Sequence, residues 1–280
     1  MIKIEKLKFG YSKDRLLFDN LDLSLSGGCI YGLLGRNGTG KTSLLKVIMG
    51  MCFPKSGVCK VFGLPSEKRL PSMLCEMMFV PEEIFTPSLR IAEYESSYAG
   101  FYPRFDHKLF KTLLKEFELN EADKLKSLSL GERKKALLAF AMAANTKILI
   151  MDEPTNGLDI PSKSQFRQMI ASLAMENRCI IVSTHQAQDI EKLIDSVIIL
   201  DNGDILIQSD MEQIVRKLAF QISPEKPSGA LYSEEKMGGV YSVSKNDDEG
   251  ACGEFHLDLL FNATMANKTA MKELFNHKKS

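Results

Sequence analysis

No stretch of this sequence is apolar for long enough to cross a membrane. The best candidate, Ala136 to Ala144, reaches about half of the roughly 18 residues that a span needs, and Asn145 and Lys147 follow it. The first residues, Met1 to Lys6, lack the apolar segment of a secretory signal peptide. The sequence therefore predicts neither a transmembrane helix nor a secretion signal.

Metal-binding cysteine pairs and an excess of charge are also absent. The six cysteines contain no C-x-x-C pair, so reduced thiols in a cytoplasmic protein are expected. Lysine plus arginine and aspartate plus glutamate each number 36, which gives a formal net charge of zero. Because a general nucleic-acid-binding surface usually makes a protein strongly positive, no nucleic-acid partner is expected.

The remaining composition is that of a soluble globular protein. Hydrophobic residues make up 44% and charged residues 26% of the 280 positions, which are ordinary values for packed domains. At roughly 100–200 residues per domain, the length allows one large domain or two modest ones. No internal repeat or low-complexity segment is found.

Short apolar runs alternate with segments of helical spacing, which predicts a parallel α/β core. Residues 1–35 contain several strands, and Cys29–Gly35 is apolar on both faces, as a buried parallel strand would be. Residues 85–145 are predicted to be mainly helical. Further strands are predicted at the apolar runs Ile148–Met151, Cys179–Ser183 and Val197–Leu200.

One loop carries a complete phosphate-binding motif. Gly35–Thr42 fits the P-loop pattern G-x-x-x-x-G-K-[ST] and connects an apolar strand to a helix. Its glycines let backbone N–H groups face phosphate oxygens, and the helix N-terminus adds positive potential. We expect Lys41 to reach the β- and γ-phosphates and Thr42 to bind Mg²⁺. The other loop residues expected to hold the nucleotide are Gly35, Asn37, Gly38, Thr39, Gly40 and Ser43.

A second buried strand ends in two adjacent carboxylates. The run Ile148–Met151 leads directly into Asp152 and Glu153, and ligands bind at the ends of strands in α/β sheets. Alone, this pattern is equally compatible with a solvated strand end. Together with the P-loop, it predicts that Asp152 holds the metal and that Glu153 is the general base that polarises the attacking water.

These motifs, with others in the same order, resemble the ATP-binding-cassette (ABC) ATPases. Ser127–Arg133 is similar to the signature motif of that family, usually LSGGQ. Gly157–Asp159 resembles the D-loop, and Ser183–His185 resembles the switch-histidine loop. Phe79–Glu82 lies where the Q-loop belongs. The resemblance covers roughly residues 1–215.

The resemblance implies roles for further residues. Tyr11, at the A-loop position, would stack on adenine, and His185 would contact the γ-phosphate and orient water. Ser129 and Gly131 lie at a predicted helix start, which is a natural anion site. Together with Asp159, they would bind the nucleotide held by a second copy of the chain. One P-loop and one signature motif per chain thus imply an ATP-dependent dimer with two shared sites.

The sequence departs from the family pattern at two motifs. Glu82 replaces the Q-loop glutamine; its carboxylate can ligate Mg²⁺ and would add negative charge near the γ-phosphate. The alternative is that Glu82 turns away and pairs with a basic residue. In the signature motif, Leu130 and Glu132 replace a glycine and a glutamine. Because Ser129 and Gly131 remain, an active site is expected.

The resemblance implies the ATP-binding and hydrolysing subunit of an ABC transporter. Its cofactors would be ATP and Mg²⁺, and its partners a second copy and a separate integral-membrane subunit. It would then be cytoplasmic, on the inner face of the cell membrane. A soluble ABC ATPase acting on ribosomes or DNA is the alternative, and the single ATPase unit, the neutral charge and the lack of a coiled-coil insertion argue against it. A P-loop kinase of small molecules would have no use for the signature motif or His185.

The implied fold is an α/β P-loop core of ABC type with an antiparallel β subdomain and a helical subdomain at about residues 83–145. Aromatic residues there would divide between its core and a groove for the membrane subunit: Phe85, Tyr94, Tyr98, Phe101, Tyr102 and Phe105. The basic cluster Arg133–Lys135 is predicted to be a solvated helix face.

The composition shifts near residue 220, where a small C-terminal α+β appendage is predicted. The proposed domains are residues 1–221, the ATPase, and residues 222–280, an accessory domain. The segment Ser223–Gly229, rich in proline and serine, would be a linker with few shared core contacts. Within the appendage we predict strands at Gly239–Ser244 and Glu254–Phe261 and a helix at Thr264–Phe275.

Overall fold

The computed structural model describes residues 1–12, 15–173, 177–246 and 254–275 of the chain. The strands are, in chain order, β1 (Ile2–Phe9), β2 (Phe18–Leu25), β3 (Cys29–Leu34), β4 (Ser56–Val61), β5 (Leu64–Pro65), β6 (Met77–Val80), β7 (Ile148–Asp152), β8 (Cys179–Thr184), β9 (Ser196–Asp201), β10 (Asp204–Asp210), β11 (Leu218–Ser223), β12 (Tyr232–Lys236) and β13 (Gly239–Lys245). The helices are α1 (Lys41–Ile48), α2 (Pro71–Leu74), α3 (Ile91–Tyr98), α4 (His107–Glu116), α5 (Leu130–Ala143), α6 (Ile160–Leu173), α7 (Met211–Lys217), α8 (Leu257–Ala266) and α9 (Lys268–Phe275).

An antiparallel sheet in the order β2-β1-β4-β5 contains the N-terminal strands. Alternate residues of β1 and β2 are buried, including Ile2, Ile4, Leu21 and Leu23. Alternating burial is what one packed and one solvated face of a sheet require. The buried face packs on α1 and on one side of the central sheet in a single apolar cluster.

The central sheet has six strands in the order β10-β9-β3-β8-β7-β6, parallel except for the edge strand β10. Every residue of β7, β8 and β9 is buried, which explains why these strands are apolar on both faces. The register aligns Leu34 with Thr184 and Asp152 with Ser183. The P-loop, the two carboxylates and His185 therefore leave the sheet at the same edge.

Helices α3, α4 and α5 fill the chain between β6 and β7, as the sequence predicts for residues 85–145. The ring of Phe140 lies at their centre, within 6.0 Å of the rings of Tyr94, Tyr102, Phe105 and Phe110. The aromatic residues of this region that face solvent are Phe85, which is 87% exposed, Phe101, at 67%, and Tyr98, at 38%.

The C-terminal part of the structure combines the sheet β11-β13-β12 with α8 and α9. The predicted strand at Glu254–Phe261 is wrong, because α8 begins at Leu257. The buried residues Leu257, Leu260 and Thr264 are three and four positions apart, which is helical spacing. Alternate apolar residues in the same segment imitate the pattern of a strand.

The predicted linker and its few core contacts also differ from the structure. Ser223–Gly229 connects β11 to β12 within one sheet, and the boundary at 221/222 falls inside β11. Phe220 and Leu260 belong to the same apolar cluster as the helices of the ATPase core. Lys268 Nζ lies 2.5 Å from Asp201 Oδ2 of β9. The C-terminal part therefore shares a core with the rest of the chain, and a division into two domains stays a proposal.

Five of the six cysteines lie in the described residues, and all five are free thiols. Cys252 lies outside the described residues. Burial raises the pKa of the Cys59 thiol to about 11 and that of Cys179 to about 12. Because the thiolate is the reactive form, both side chains are inert packing groups.

Candidate active site

The P-loop joins β3 to α1, as predicted. Gly40 ends the loop with a φ of 105°, and α1 begins at the next residue, Lys41. A β-carbon at Gly40 would lie 2.9 Å from the ring of Phe18, so backbone conformation and packing both require glycine there. The first N–H groups of α1 lack intrahelical partners and can donate to phosphate oxygens.

The Lys41 ammonium group lies between this loop and a carboxylate. Its Nζ donates to the carbonyl oxygens of Gly35 at 2.7 Å and Arg36 at 3.3 Å. The same Nζ lies 3.5 Å from Glu153 Oε1. A buried ammonium group in this position can form charge-assisted hydrogen bonds to phosphate oxygens.

Both carboxylate oxygens of Asp152 accept hydrogen bonds from hydroxyl groups. Thr42 Oγ1 donates to Asp152 Oδ2 at 2.7 Å, and Ser183 Oγ donates to Asp152 Oδ1. Asp152 is only 1% exposed, so these bonds compensate the cost of burying its charge. The structure thus brings together two predicted metal ligands from elements 110 residues apart in sequence.

Glu153 is held in an unusual backbone conformation. Its φ is +47°, a left-handed value that costs a non-glycine residue on the order of 1–3 kcal/mol. Its N–H donates to the carbonyl of Ser183 at 3.1 Å. Glu153 Oε1 lies 3.0 Å from His185 Nδ1, while Oε2 is buried without a hydrogen-bond partner among the described residues. Strained residues and unsatisfied polar atoms are typical of functional sites.

A cavity of about 700 Å³ opens beside these groups. The predicted site residues that line it are Tyr11, Asn37, Gly38, Gly40, Lys41, Thr42, Ser43, Glu82, Glu153 and His185. Asp152 lies behind Thr42, and Gly35 contributes its carbonyl to Lys41. Thr39 Oγ1 donates to the carbonyl of Arg36 at 2.8 Å and stabilises the loop itself.

Tyr11 lies at the mouth of the cavity with 70% of its surface exposed. Its hydroxyl is 3.0 Å from Ser43 Oγ, and its ring meets the edge of Phe9 at 5.1 Å. The exposed ring face is available for stacking on a planar ligand. Five lining residues were not predicted from the sequence: Ser12, Arg15, Leu16, Leu17 and Asn156. The first four lie between β1 and β2, and their sequence gives no sign that they approach the P-loop.

Glu82 faces the cavity rather than a basic surface residue. Its Oε1 accepts a hydrogen bond from Asn156 Nδ2 at 3.2 Å. Asn156 lies in the turn after Glu153, so the Q-loop position and the catalytic turn are directly connected. The alternative of an ion pair with a basic residue is not what the structure shows at Glu82.

Lys134 departs from the predicted solvated helix face. It is 3% exposed, and its Nζ donates to the carbonyl oxygens of Glu153 at 2.9 Å and Asn156 at 2.7 Å. Burial lowers the pKa of Lys134, whereas the nearby carboxylates of Glu82, Glu153 and Asp152 act to raise it. A basic side chain in the first turns of α5 thus contacts the backbone of the active site, although the sequence pattern predicts that it is exposed to solvent.

The signature residues lie outside this cavity. Ser129 caps α5: its Oγ accepts from the N–H of Glu132 at 3.3 Å, and Glu132 Oε2 accepts from the N–H of Ser129 at 2.8 Å. A β-carbon at Gly131 would lie 3.1 Å from the carbonyl of Gly157. Asp159 Oδ1 accepts from the N–H of Ser162 at 3.0 Å, and hydrogen bonding with the side chain and the backbone of Ser162 lowers the pKa of Asp159. Ser129, Gly131 and Asp159 therefore form no part of the cavity in their own chain.

Comparisons with known proteins agree with this geometry. A family model described as ABC transporter matches residues 18–156. The chain is 30% identical over 239 residues to an ABC transporter ATP-binding protein of Bacillus subtilis, covering 81% of this chain and 78% of that protein. It is 31% identical over 225 residues to another from Methanocaldococcus jannaschii, with 78% and 81% covered. The chain belongs to the family of ABC transporter ATP-binding proteins.

Solved structures show the same fold. The ATP-binding subunit of an ABC transporter has a TM-score of 0.71 at 23% identity, over 77% of this chain and 92% of that chain. A dimeric bacterial ABC transporter cassette has a TM-score of 0.68 at 22% identity, over 75% and 99%. The predicted family, fold class and activity as a transporter ATPase are confirmed, and these comparisons give the ribosome or DNA alternative no support.

ABC ATP-binding subunits work with membrane-embedded partners and assemble as dimers. Among the described residues of this ABC protein, no helix is both long and apolar enough to cross a bilayer.

Proposed function

We propose that this ABC ATP-binding protein hydrolyses Mg-ATP in the P-loop cavity, with Glu153 as general base. The observation that carries the proposal is the position of the Glu153 carboxylate, 3.0 Å from His185 Nδ1 and 3.5 Å from Lys41 Nζ. A buried carboxylate between an imidazole and an ammonium group can hold and deprotonate a water molecule beside a γ-phosphate. In this assignment His185 orients that water, and Lys41 offsets the charge of the phosphates.

The donor set at the cavity floor fits Mg²⁺. The Thr42 hydroxyl and the Asp152 carboxylate are hard oxygen ligands in direct contact, and Mg²⁺ is usually held by one or two such groups plus phosphate oxygens. Among the described residues, no cluster of three or more His, Cys, Asp or Glu side chains could hold a metal alone. Glu82, on the cavity wall, is the third proposed ligand. Bound Mg²⁺ would neutralise charge that develops on the phosphates.

The remaining groups recognise the nucleotide. We assign adenine stacking to the exposed ring of Tyr11 and phosphate binding to the P-loop amides at the start of α1. The hydroxyl contact between Tyr11 and Ser43 fixes the ring next to the loop. The distance from stacking ring to phosphate loop is thus set by one side-chain hydrogen bond.

The second half of each site is proposed to come from another copy of the chain. Ser129, Gly131 and Asp159 bind no group of their own cavity, and Ser129 begins α5, where N–H groups favour an anion. A head-to-tail pair would place this helix start on the γ-phosphate of the partner. A similar cassette solved as a dimer supports the pairing of two copies.

We propose that the pair acts on the inner face of the cell membrane with a separate integral-membrane subunit. Phe85, Tyr98 and Phe101 present exposed aromatic surface on the helical region, a composition typical of interface anchors. Related proteins include one named for Nod factor export in Burkholderia lata and one named for bacitracin transport in Bacillus licheniformis. By analogy, export is the proposed direction.

Two measurements test the proposal. Purified protein should hydrolyse ATP only when Mg²⁺ is present, and chelation should stop the reaction. Affinity purification from native membranes should recover an integral-membrane protein with this chain. Hydrolysis that is insensitive to chelation would contradict the proposed metal site, and recovery of ribosomes or DNA would contradict the proposed partner.

A further inference from the structure

Lys134 is a buried cation that pairs directly with no carboxylate of the described residues. Its Nζ instead donates to two backbone carbonyls, those of Glu153 and Asn156, at 2.9 and 2.7 Å. Burying an ammonium group is costly unless its hydrogen bonds are satisfied. A side chain of this kind inside the first turns of α5 therefore calls for a specific reason.

The two carbonyls are the ends of the turn that presents the catalytic carboxylate. Glu153 has a left-handed φ of +47°, and its N–H is fixed by Ser183 at 3.1 Å. Lys134 fixes the carbonyl of the same residue, which belongs to the next peptide unit. The backbone of Glu153 is thus held from two elements, β8 and α5, while its side chain reaches Lys41 and His185.

Lys134 also supplies positive charge where carboxylates gather. Asp152, Glu153 and Glu82 are the carboxylates that act on its charge. Asn156 links Lys134 to Glu82. Its carbonyl accepts a hydrogen bond from Lys134 Nζ, and its side-chain amide donates to Glu82 Oε1 at 3.2 Å. A γ-phosphate would bring further negative charge to the same place, so a glutamate at the Q-loop position needs a compensating cation.

We propose that Lys134 is a positioning residue that holds the Glu153 turn, and that its charge makes Glu82 compatible with ATP hydrolysis. This inference rests on the proposed role of Glu153. It links α5 to the active site of its own chain through Lys134, whereas the signature residues at the start of the same helix are proposed to bind the nucleotide of a second copy. Removing the charge of Lys134 should therefore slow ATP hydrolysis most when residue 82 is a glutamate.

A double-variant cycle tests the charge directly. Lys134→Gln removes the positive charge and keeps an NH2 group that can donate hydrogen bonds. Glu82→Gln removes the negative charge at the Q-loop position. We expect Lys134→Gln to lower kcat about tenfold, within the range of coupling between contacting groups, with the Kd for ATP changed less than about threefold. In the Glu82→Gln background, the same substitution should lower kcat by less than about threefold.

Further variants separate charge from geometry. Lys134→Met removes the side-chain donor from both carbonyls and should slow hydrolysis in both backgrounds, because the turn loses its link to α5. Lys108→Gln, on the exposed surface of α4, is the matched control and should change neither kcat nor Kd. If Lys134→Gln is too unstable to assay, its melting temperature should rise when Glu82→Gln is added.

Equal losses of kcat in the two backgrounds would overturn the charge compensation, as would unchanged melting of the double variant. An unchanged kcat for both Lys134→Gln and Lys134→Met would overturn the positioning role. The ATPase rate of the wild type in the same assay keeps the two proposals distinguishable. A wild-type protein without ATPase activity would contradict the proposed function. The melting temperatures of the single and double variants would still test the role of Lys134.

Discussion

The two nucleotide-facing surfaces of this chain differ in how much of a site each completes alone. On the P-loop surface, buried side chains converge on a cavity, and the carboxylates of Asp152 and Glu153 are 1% and 4% exposed. On the signature surface, Ser129 is bonded to Glu132 and Asp159 to Ser162, and neither these two residues nor Gly131 line the P-loop cavity. In the proposed arrangement, the first surface binds a nucleotide in a single chain, whereas the second acts only when another copy brings a nucleotide to it.

The strongest test of this contrast is Lys41→Ala. The substitution removes the ammonium group between the P-loop carbonyls and Glu153, so ATP affinity should fall about 10- to 100-fold, the value of a charge-assisted hydrogen bond, and hydrolysis should become undetectable. Binding of a fluorescent ATP analogue and the ATPase rate measure both effects. The melting temperature should stay close to that of the wild type, and unchanged turnover would contradict the P-loop assignment.

Glu153→Gln should separate binding from chemistry on the same surface. Removing a positioned base typically lowers the rate about 10²- to 10⁴-fold, while the amide still fits the buried position. With Mg-ATP, the trapped nucleotide should hold two chains together and give a dimer peak in size-exclusion chromatography. A monomer that has ATP bound at high protein concentration would show that closure needs the membrane partner or that the site is not shared.

Ser129→Ala should affect turnover without affecting the cavity of its own chain. We expect hydrolysis to fall about tenfold while ATP affinity is unchanged, and the lost helix cap should cost about 1 kcal/mol of stability, or about 2–4 °C in melting temperature. Mixing this variant with Lys41→Ala provides the decisive control. A mixed pair contains one intact composite site, so random pairing should restore about a quarter of wild-type activity. No restoration would contradict the head-to-tail arrangement.

Truncation after Lys217 should have the smallest effect on the nucleotide. No residue of the described C-terminal part lines the cavity, so ATP affinity should change less than about twofold. The melting temperature should nevertheless fall by more than about 10 °C, since each kcal/mol corresponds to about 2–4 °C and the shared apolar cluster is opened. A truncated protein with wild-type melting would instead support an independent accessory domain.

The P-loop surface was largely predictable because its chemistry depends on local sequence. Glycine spacing, a preceding apolar strand and adjacent carboxylates are each visible within a few residues. The position of Arg15, Leu16 and Leu17 on the cavity wall was not predictable, since these residues reach the cavity only through the pairing of β1 and β2. Lys134 was missed for a related reason: its neighbours Arg133 and Lys135 suggest an exposed face, and only the packing of α5 against β6 and the contact of Lys134 with the turn after β7 show otherwise.

The C-terminal part shows the opposite limit. A mixed run of apolar residues at Phe255–Phe261 satisfies the spacing of a strand and of a helix, and burial of Leu257, Leu260 and Thr264 against the ATPase core selects the helix. Proline and glycine at Ser223–Gly229 correctly indicate a loop but cannot show that the loop stays within one sheet. Composition thus predicts the position of a loop, whereas tertiary contacts determine which elements the loop connects and where they pack.

The hydrogen bonds between Ser129 and Glu132 place a carboxylate at the start of α5, where it would compete with a phosphate for the same N–H group. The carboxylate of Glu132 occupies an N–H at the position where a phosphate from another chain would bind, and hydrogen bonds to Ser129 lower its pKa, so it keeps its negative charge. In the proposed pair, an incoming γ-phosphate would exchange with an anion already in place rather than enter a free site. Opening of that pair would restore the bonds between Ser129 and Glu132, which would favour release after the phosphate has left.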